Sequence, residues 1–193
     1  MLEQHSMNPE VIPKIIHYVW VGTAPKTELA LRCIASWKKF LPDYEIIEWN
    51  NERFAALNNR YAQEAFAAKK WAFVSDFLRL YALREMGGFY FDTDLELTAD
   101  LQPFRHHGFV IGFENFKGRV APLSAMIGAA PRHAVVEKLL SAYGSKSFYK
   151  ADGSEDLTPN TGLFSDIFAQ SFGLSKPYDC LLYTSPSPRD GLL

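Results

Sequence analysis

The sequence predicts an α/β domain built on a mostly parallel sheet flanked by helices. Two continuous apolar runs, Ile15–Val21 and Tyr44–Trp49, are separated by a segment of helical length. That strand–helix–strand rhythm is the signature of a parallel sheet. A third apolar run, Phe89–Phe91, follows a long stretch free of Gly and Pro. The chain has 193 residues, 48% of them hydrophobic and 22% charged. That suits one globular domain able to bury roughly two thirds of its unfolded surface.

Each element has a local reason. Ile15–Val21 ends at Gly22 and reads as a buried strand, with His17 packed in the core rather than bound to metal. Pro25 opens a helix over Thr27–Leu41, whose apolar Leu31, Ile34, Ala35 and Trp37 are assigned to its buried face. Pro42-Asp43 turns the chain into the strand Tyr44–Trp49. Asn50-Asn51 ends that strand and can cap a helix near Glu52. A further helix is predicted over Tyr61–Ala68, and Lys69-Lys70 at its end are either a solvated pair or face a diphosphate.

The stretch Lys69–Thr98 carries the chemistry. From Trp71 to Met86 the sequence is apolar almost all round, which predicts a buried helix. Its polar exceptions Ser75, Asp76 and Arg79 share a sector about 100° wide. That sector either holds a self-satisfied Asp76–Arg79 ion pair or faces a ligand. Gly87-Gly88 ends the helix through a left-handed backbone. Phe89–Phe91 forms a strand, Asp92-Thr93-Asp94 follows, and Leu95–Thr98 resumes an alternating pattern. Two aspartates at a strand end are either an Asp-rich turn or a cleft beyond the sheet's carboxyl edge. In a cleft, such carboxylates suit Mg²⁺ or Mn²⁺, which binds through one or two of them plus substrate phosphates.

Beyond the aspartates, Leu101–Phe104 is a turn and Phe109–Glu114 a strand. Leu123–Gly128 is a further strand. Arg132–Tyr143 is a helix, Ser145–Thr158 a mobile loop, and Asn160 and Thr161 cap a last helix through Phe172.

Four pieces in order resemble the DXD-motif glycosyltransferases of family 32. They are Ile12–Gly22, Ser36–Asn50, Lys69–Leu97 and the Pro-Asn-Thr-Gly of Pro159–Gly162. That family includes capsular polysaccharide sugar transferases and initiating mannosyltransferases. The resemblance implies a glycosyltransferase-A-like single domain with a Rossmann-like sheet. It implies a retaining transfer from a UDP- or GDP-sugar to a glycan or lipid-linked acceptor in polysaccharide biosynthesis. It places Trp20 against the nucleotide base, Asp94 on a Mn²⁺ or Mg²⁺ ion, and Asp92 on the ribose or sugar with weaker reach to the metal. Asp76 and Arg79 would hold the sugar hydroxyls and the phosphate side. Catalysis would therefore rest on Asp76, Arg79, Asp92 and Asp94. A haloacid-dehalogenase-type phosphotransferase also carries Asp-x-Asp after a strand, but after its first strand, with Thr or Val where Glu96 stands here. A non-catalytic or truncated nucleotide-sugar-binding domain is the other alternative.

Composition narrows the partners. A net charge of −2 implies no polyanion-binding face, and no nucleic-acid partner is expected. No apolar run reaches the roughly 18 residues of a membrane span, and the start lacks a signal-peptide pattern. The two cysteines, Cys33 and Cys180, suggest no disulfide framework. A cytoplasmic location is expected, peripheral at the inner membrane face where the acceptor is lipid-linked. Residues 1–11 are polar and expected to fray. The catalytic domain is assigned to residues 1–179. Residues 180–193, with their Ser-Pro-Ser-Pro, read as an artefactual or disordered tail replacing a strand and a C-terminal segment that helps close the metal site in the family.

Overall fold

The computed structural model describes residues 11–116 and 119–173. The expectations for the first ten residues and for the 180–193 tail lie outside the described residues. Strands β1 (Ile15–Val19), β2 (Glu45–Trp49), β3 (Gly88–Phe91), β4 (Phe109–Phe116) and β5 (Arg119–Ala129) form one sheet in the order β2-β1-β3-β5-β4. β1 pairs parallel with both β2 and β3, while β5 runs antiparallel to β3 and to β4. Four strands therefore point one way and β5 runs against them. The sheet is mixed and mostly parallel, as the sequence predicts, with a β4–β5 hairpin at one edge.

The helices are α1 (Glu28–Phe40), α2 (Asn51–Ala55), α3 (Arg60–Ala67), α4 (Trp71–Met86), α5 (Ala134–Ser141) and α6 (Thr161–Phe172). They cover both faces of the sheet, so the strands need not alternate apolar with polar. On one face α1 packs Cys33, Ile34 and Trp37 against Ile16, Tyr18, Phe89 and Phe91. On the other, α3 to α6 pack Ala62, Val74, Leu78, Val136 and Phe164 against Val19, Ile47, Trp49 and Tyr90. The run Phe89-Tyr90-Phe91 thus sends its two phenyl rings one way and its phenol the other.

Several local readings are corrected. The buried face of α1 is Ala30, Cys33, Ile34 and Trp37, at helical i, i+3, i+4, i+7 spacing, while Leu31 and Ala35 are exposed. Leu95–Thr98 does not form a strand. Its backbone is bound to α1 side chains instead: Trp37 Nε1 donates to Leu95 O at 2.8 Å, and Leu97 N donates to Ser36 Oγ at 2.9 Å. Residues 145–158 are anchored. Glu64 accepts from Ser147 Oγ and Phe148 N, both at 2.8 Å, and the Phe148 ring is fully buried. Lys70 pairs with Glu155 in that segment at 2.7 Å. Asn160 stands at the start of α6, but its side chain makes no cap bond.

His17 is a core residue, as expected. Its Nε2 donates to Gly87 O at 2.8 Å and its Nδ1 accepts from Trp49 Nε1 at 3.2 Å, which fixes the neutral tautomer. Burial pushes its pKa down to about 4, against the Gly87 bond that raises it. A depressed imidazole pKa stabilises the fold above about pH 6.5 and loses that contribution as pH falls towards 4. The stability advantage of wild type over His17→Gln should therefore narrow by about 2–3 kcal/mol between about pH 7 and about pH 4. Urea unfolding of both proteins across that range checks it; a difference that does not move with pH refutes it.

Candidate active site beyond the third strand

A cleft of about 420 Å³ opens beyond the carboxyl ends of β1 and β3. This is where α/β sheets bind ligands. Its walls come from three places. The end of β1 and the loop after it supply Trp20, Val21, Pro25 and Thr27. The first turns of α4 supply Trp71, Ala72 and Ser75. The end of β3 supplies Tyr90, Asp92, Thr93 and Asp94.

The local sequence explains why the aspartates arrive here. Helix α4 ends at Gly87, whose φ is positive as expected, although its ψ of −165° is extended rather than left-handed helical. β3 then pairs with β1 and β5, and Asp92 N continues the ladder by donating to Ala125 O at 2.9 Å. The chain turns at once, with Leu95 N donating to Asp92 O at 3.0 Å. Asp92 is half-buried and Asp94 is exposed. Asp94 makes no hydrogen bond or ion pair among the described residues.

Asp92 is held from behind. Tyr90 donates its hydroxyl to Asp92 Oδ1 at 2.7 Å, and Arg79 Nη2 approaches the same oxygen at 3.4 Å. Arg79 is only 4% exposed. Its fork is committed to the protein: Nη1 donates to Ser124 O at 2.7 Å, and Nε and Nη2 donate to Ser75 O and Oγ, each at 3.2 Å. Nη2 also pairs with Asp76 at 3.0 Å, and the guanidinium lies 4.7 Å from the centre of the Tyr90 ring. Burial works against this cation, but Tyr90, Asp92 and Asp76 outweigh it and hold its pKa above the ordinary value.

Asp76 accepts from Asn160 Nδ2 at 2.8 Å. Burial pushes its carboxyl up to about 6 despite the Arg79 ion pair, and the Asp92 charge adds to the rise. Asn160 Oδ1 in turn meets Ser124 Oγ at 3.5 Å. The five residues singled out in the sequence thus divide. Trp20, Asp92 and Asp94 line the cleft. Asp76 and Arg79 form a buried layer directly behind Asp92. The sequence signal for that layer was the narrow polar sector of α4; nothing local announced Ser124, Asn160 or the Tyr90 hydroxyl as members. Trp71 also lines the cleft, and its place in an apolar helical run had marked it only as core.

The donor set fits a divalent cation completed by phosphate. Among the described residues no three His, Cys, Asp or Glu side chains converge. Two carboxylates in one cleft are nevertheless enough for Mg²⁺ or Mn²⁺ when substrate oxygens and water supply the rest. Asp94 offers both its oxygens, and Asp92 keeps Oδ2 free of the Tyr90 bond.

Comparison with known proteins bears on the same residues. Residues 27–110 match the family described as glycosyltransferase sugar-binding region containing DXD motif, a span that holds Asp92 and Asp94. An uncharacterized glycosyltransferase of Acanthamoeba polyphaga mimivirus is 27% identical over 173 residues, covering 83% of this chain. The chain spans 66% of that relative's length, just under two thirds. The solved PaToxG glycosyltransferase superposes with a TM-score of 0.62 at 23% identity, over 92% of this chain and 76% of that one. A mutant transferase of known structure superposes at 0.58 with 12% identity, over 90% of this chain and 91% of its own. At such identities the solved structures show the fold alone. Over residues 27–110 this chain is similar to the glycosyltransferase sugar-binding region, over most of its length it is similar to the viral glycosyltransferase, and its fold is the one those solved structures share.

Proposed function

We propose that this protein transfers a sugar from a UDP- or GDP-sugar to a glycan or lipid-linked acceptor, in the manner of the family 32 enzymes it resembles. The observation that carries the reading is the Asp92–Asp94 pair at the carboxyl end of β3, in one cleft with Trp20. Asp94 and Asp92 are the residues that would hold Mn²⁺ or Mg²⁺, which as a Lewis acid offsets the charge developing on a diphosphate leaving group. Trp20 offers a flat face for the base at the other wall, and its Nε1 donates to Ala24 O at 3.0 Å, which fixes the ring. Arg79 and Tyr90 orient Asp92 from behind, so the carboxylate is positioned before substrate arrives. Retention of the anomeric configuration is taken from the family resemblance. Among the described residues no helix is long and apolar enough to cross a membrane.

A thermal-shift panel of UDP- and GDP-sugars with and without Mn²⁺, run on wild type and Asp94→Ala, tests this. A donor at about 100 times its dissociation constant should add about 2.7 kcal/mol to wild type, and only with the metal. Asp94→Ala should fold normally and lose both the shift and sugar transfer. Metal-dependent turnover undiminished in that variant would sink the assignment.

A further inference from the structure

We propose that residues 147–158, the segment between α5 and α6, form the acceptor platform, on which the exposed Tyr149 ring stacks against a neutral sugar ring of a glycan. This rests on the donor-site reading above and deepens it by naming the chemistry of the acceptor.

The segment folds back on itself as a small hairpin. Tyr149 and Glu155 meet in an antiparallel bridge. Asp156 N donates to Phe148 O at 2.7 Å, Lys150 N to Ser154 O at 2.8 Å and Gly153 N to Lys150 O at 3.0 Å, which closes the turn. The base of the hairpin is fixed to α3 by the two bonds that Glu64 accepts from Ser147 and Phe148. Phe148 sends its ring into the core, edge-on to Phe73 at 5.3 Å and to Tyr61 at 5.9 Å. Tyr149 leaves the opposite face, as the next residue of an extended chain does, and is 38% exposed. Its hydroxyl makes no hydrogen bond among the described residues. On the returning arm Leu157 is 51% exposed. A fixed backbone thus presents apolar side chains to solvent, where packing the core needs only Phe148.

The platform borders the cleft. Opposite partners in a bridge send their side chains to one face, so Glu155 lies on the Tyr149 side, and Glu155 pairs with Lys70 Nζ at 2.7 Å. Lys70 directly precedes Trp71, which lines the cleft. Just past the other end of the segment, Asn160 donates to Asp76 in the layer behind Asp92. The exposed face therefore runs up to the place where a sugar would leave its diphosphate. Its chemistry selects the occupant. Two apolar side chains cannot supply the roughly 800 Å² that each partner of a stable protein interface buries. Lys70 is answered by Glu155 and Lys146 by Asp156 at 3.9 Å, so an anionic lipid surface gains little from them. A single pyranose fits. The C–H bonds of its face suit the electron-rich face of a phenol ring, and its hydroxyls suit the phenolic O–H. Tyr149 is therefore a contact residue for the acceptor, and Glu64 a positioning residue acting through the hairpin.

Transfer assays on an array of neutral and acidic oligosaccharides, with Mn²⁺ and UDP- or GDP-sugars, identify the glycans that wild type extends. Wild type, Tyr149→Ala, Tyr149→Phe, Glu64→Ala and Glu64→Gln are then compared on one of them. Tyr149→Ala should raise the KM for that glycan roughly tenfold, while calorimetric titration shows donor binding unchanged. Tyr149→Phe keeps the ring and should recover most of the loss. Glu64→Ala should show a smaller rise that Glu64→Gln reverses. A folded Tyr149→Ala protein whose glycan KM matches wild type, or that loses donor binding in parallel, overturns the proposal, as does transfer confined to acidic sugars. Should Tyr149→Ala fail to fold, a glycan KM unmoved in Leu157→Ser and Glu64→Ala overturns it. If wild type binds a donor but extends no glycan, this inference alone falls. If it binds no donor, the donor-site reading falls with it.

Discussion

Replacing Arg79 with methionine should cost about 3–5 kcal/mol of folding stability, the range for removing one partner of a buried ion pair. The guanidinium is 4% exposed and answers two carboxylates at once, Asp76 at 3.0 Å and Asp92 at 3.4 Å. Methionine fills much of the volume but leaves Asp76 with the Asn160 amide alone and strands the Ser124 carbonyl. The loss should depend on pH in a definite direction. Asp76 already titrates near 6 because burial disfavours its charge, and Arg79 is what lowers it. Without Arg79 the pKa rises further. A carboxyl with a raised folded pKa contributes its stability below the unfolded value, near 3.8, and loses it as pH climbs through the folded one. The Arg79→Met penalty should therefore be greatest above the variant's own, higher Asp76 pKa, shrink as pH falls from there towards 6, and level off below 6, where both folded proteins hold Asp76 protonated. Asp76→Asn in the Arg79→Met background should recover part of it at neutral pH by removing the stranded charge. Urea unfolding of the three proteins at two pH values decides the matter. A penalty that is small and flat with pH would mean that water reaches the pair and screens it.

The same layer shows what the sequence could and could not say. The length of α4 was legible to the residue, since an unbroken apolar run bounded by Lys69-Lys70 and Gly87-Gly88 leaves the helix no other ends. The three parallel strands and the core role of His17 were legible for the same reason: each is written in consecutive residues. The aspartates were legible as a strand end, but the sequence left them either a turn or a cleft, because the walls of the cleft come from three separate stretches. What the polar sector of α4 faces was not legible. Its partners Ser124 and Asn160 stand 45 and 84 residues away from Arg79 and Asp76, on β5 and at the start of α6. Sequence alone left the sector either self-paired or ligand-facing. In the structure the pair is made, and Asp92 of the cleft is joined to it. Asn160 misleads in a related way. Its type and position suit a helix cap, but its Nδ2 donates to the Asp76 carboxylate and its Oδ1 faces the Ser124 hydroxyl, so the side chain is turned to the buried layer instead. Leu95–Thr98 alternates like a strand because α1 buries every second side chain, with Trp37 and Ser36 taking the backbone bonds a neighbouring strand would have taken. A periodicity of two reports a half-buried extended chain, not what covers it.

A second large structural effect is expected at Gly88, where the approach of β3 to β1 is set. The residue has a φ of +102°, and a Cβ there would lie 2.6 Å from Ile15 O and 2.9 Å from Ile15 Cβ. Gly88→Ala should cost about 1–2 kcal/mol for the left-handed backbone and about 1–3 kcal/mol more for overpacking. The second part cannot be relieved by a rotamer change, because the atom in the way is a strand carbonyl. β1 would have to move, and it also pairs with β2 along its whole length. Gly153→Ala is the matched control. Its φ is +81° and nothing lies within 4 Å of the added methyl, so it should show the backbone part alone. Denaturant midpoints of the two variants separate the contributions. A much larger loss at Gly88 would mean that the close β1–β3 contact, rather than glycine's freedom at a turn, is what that position protects. That contact fixes the register Ile16↔Phe89 and His17↔Tyr90. From it follow the face to which the Tyr90 hydroxyl points and the depth at which Asp92 leaves the sheet, so a variant that survives with β3 displaced should bind metal and donor worse than its residual stability predicts.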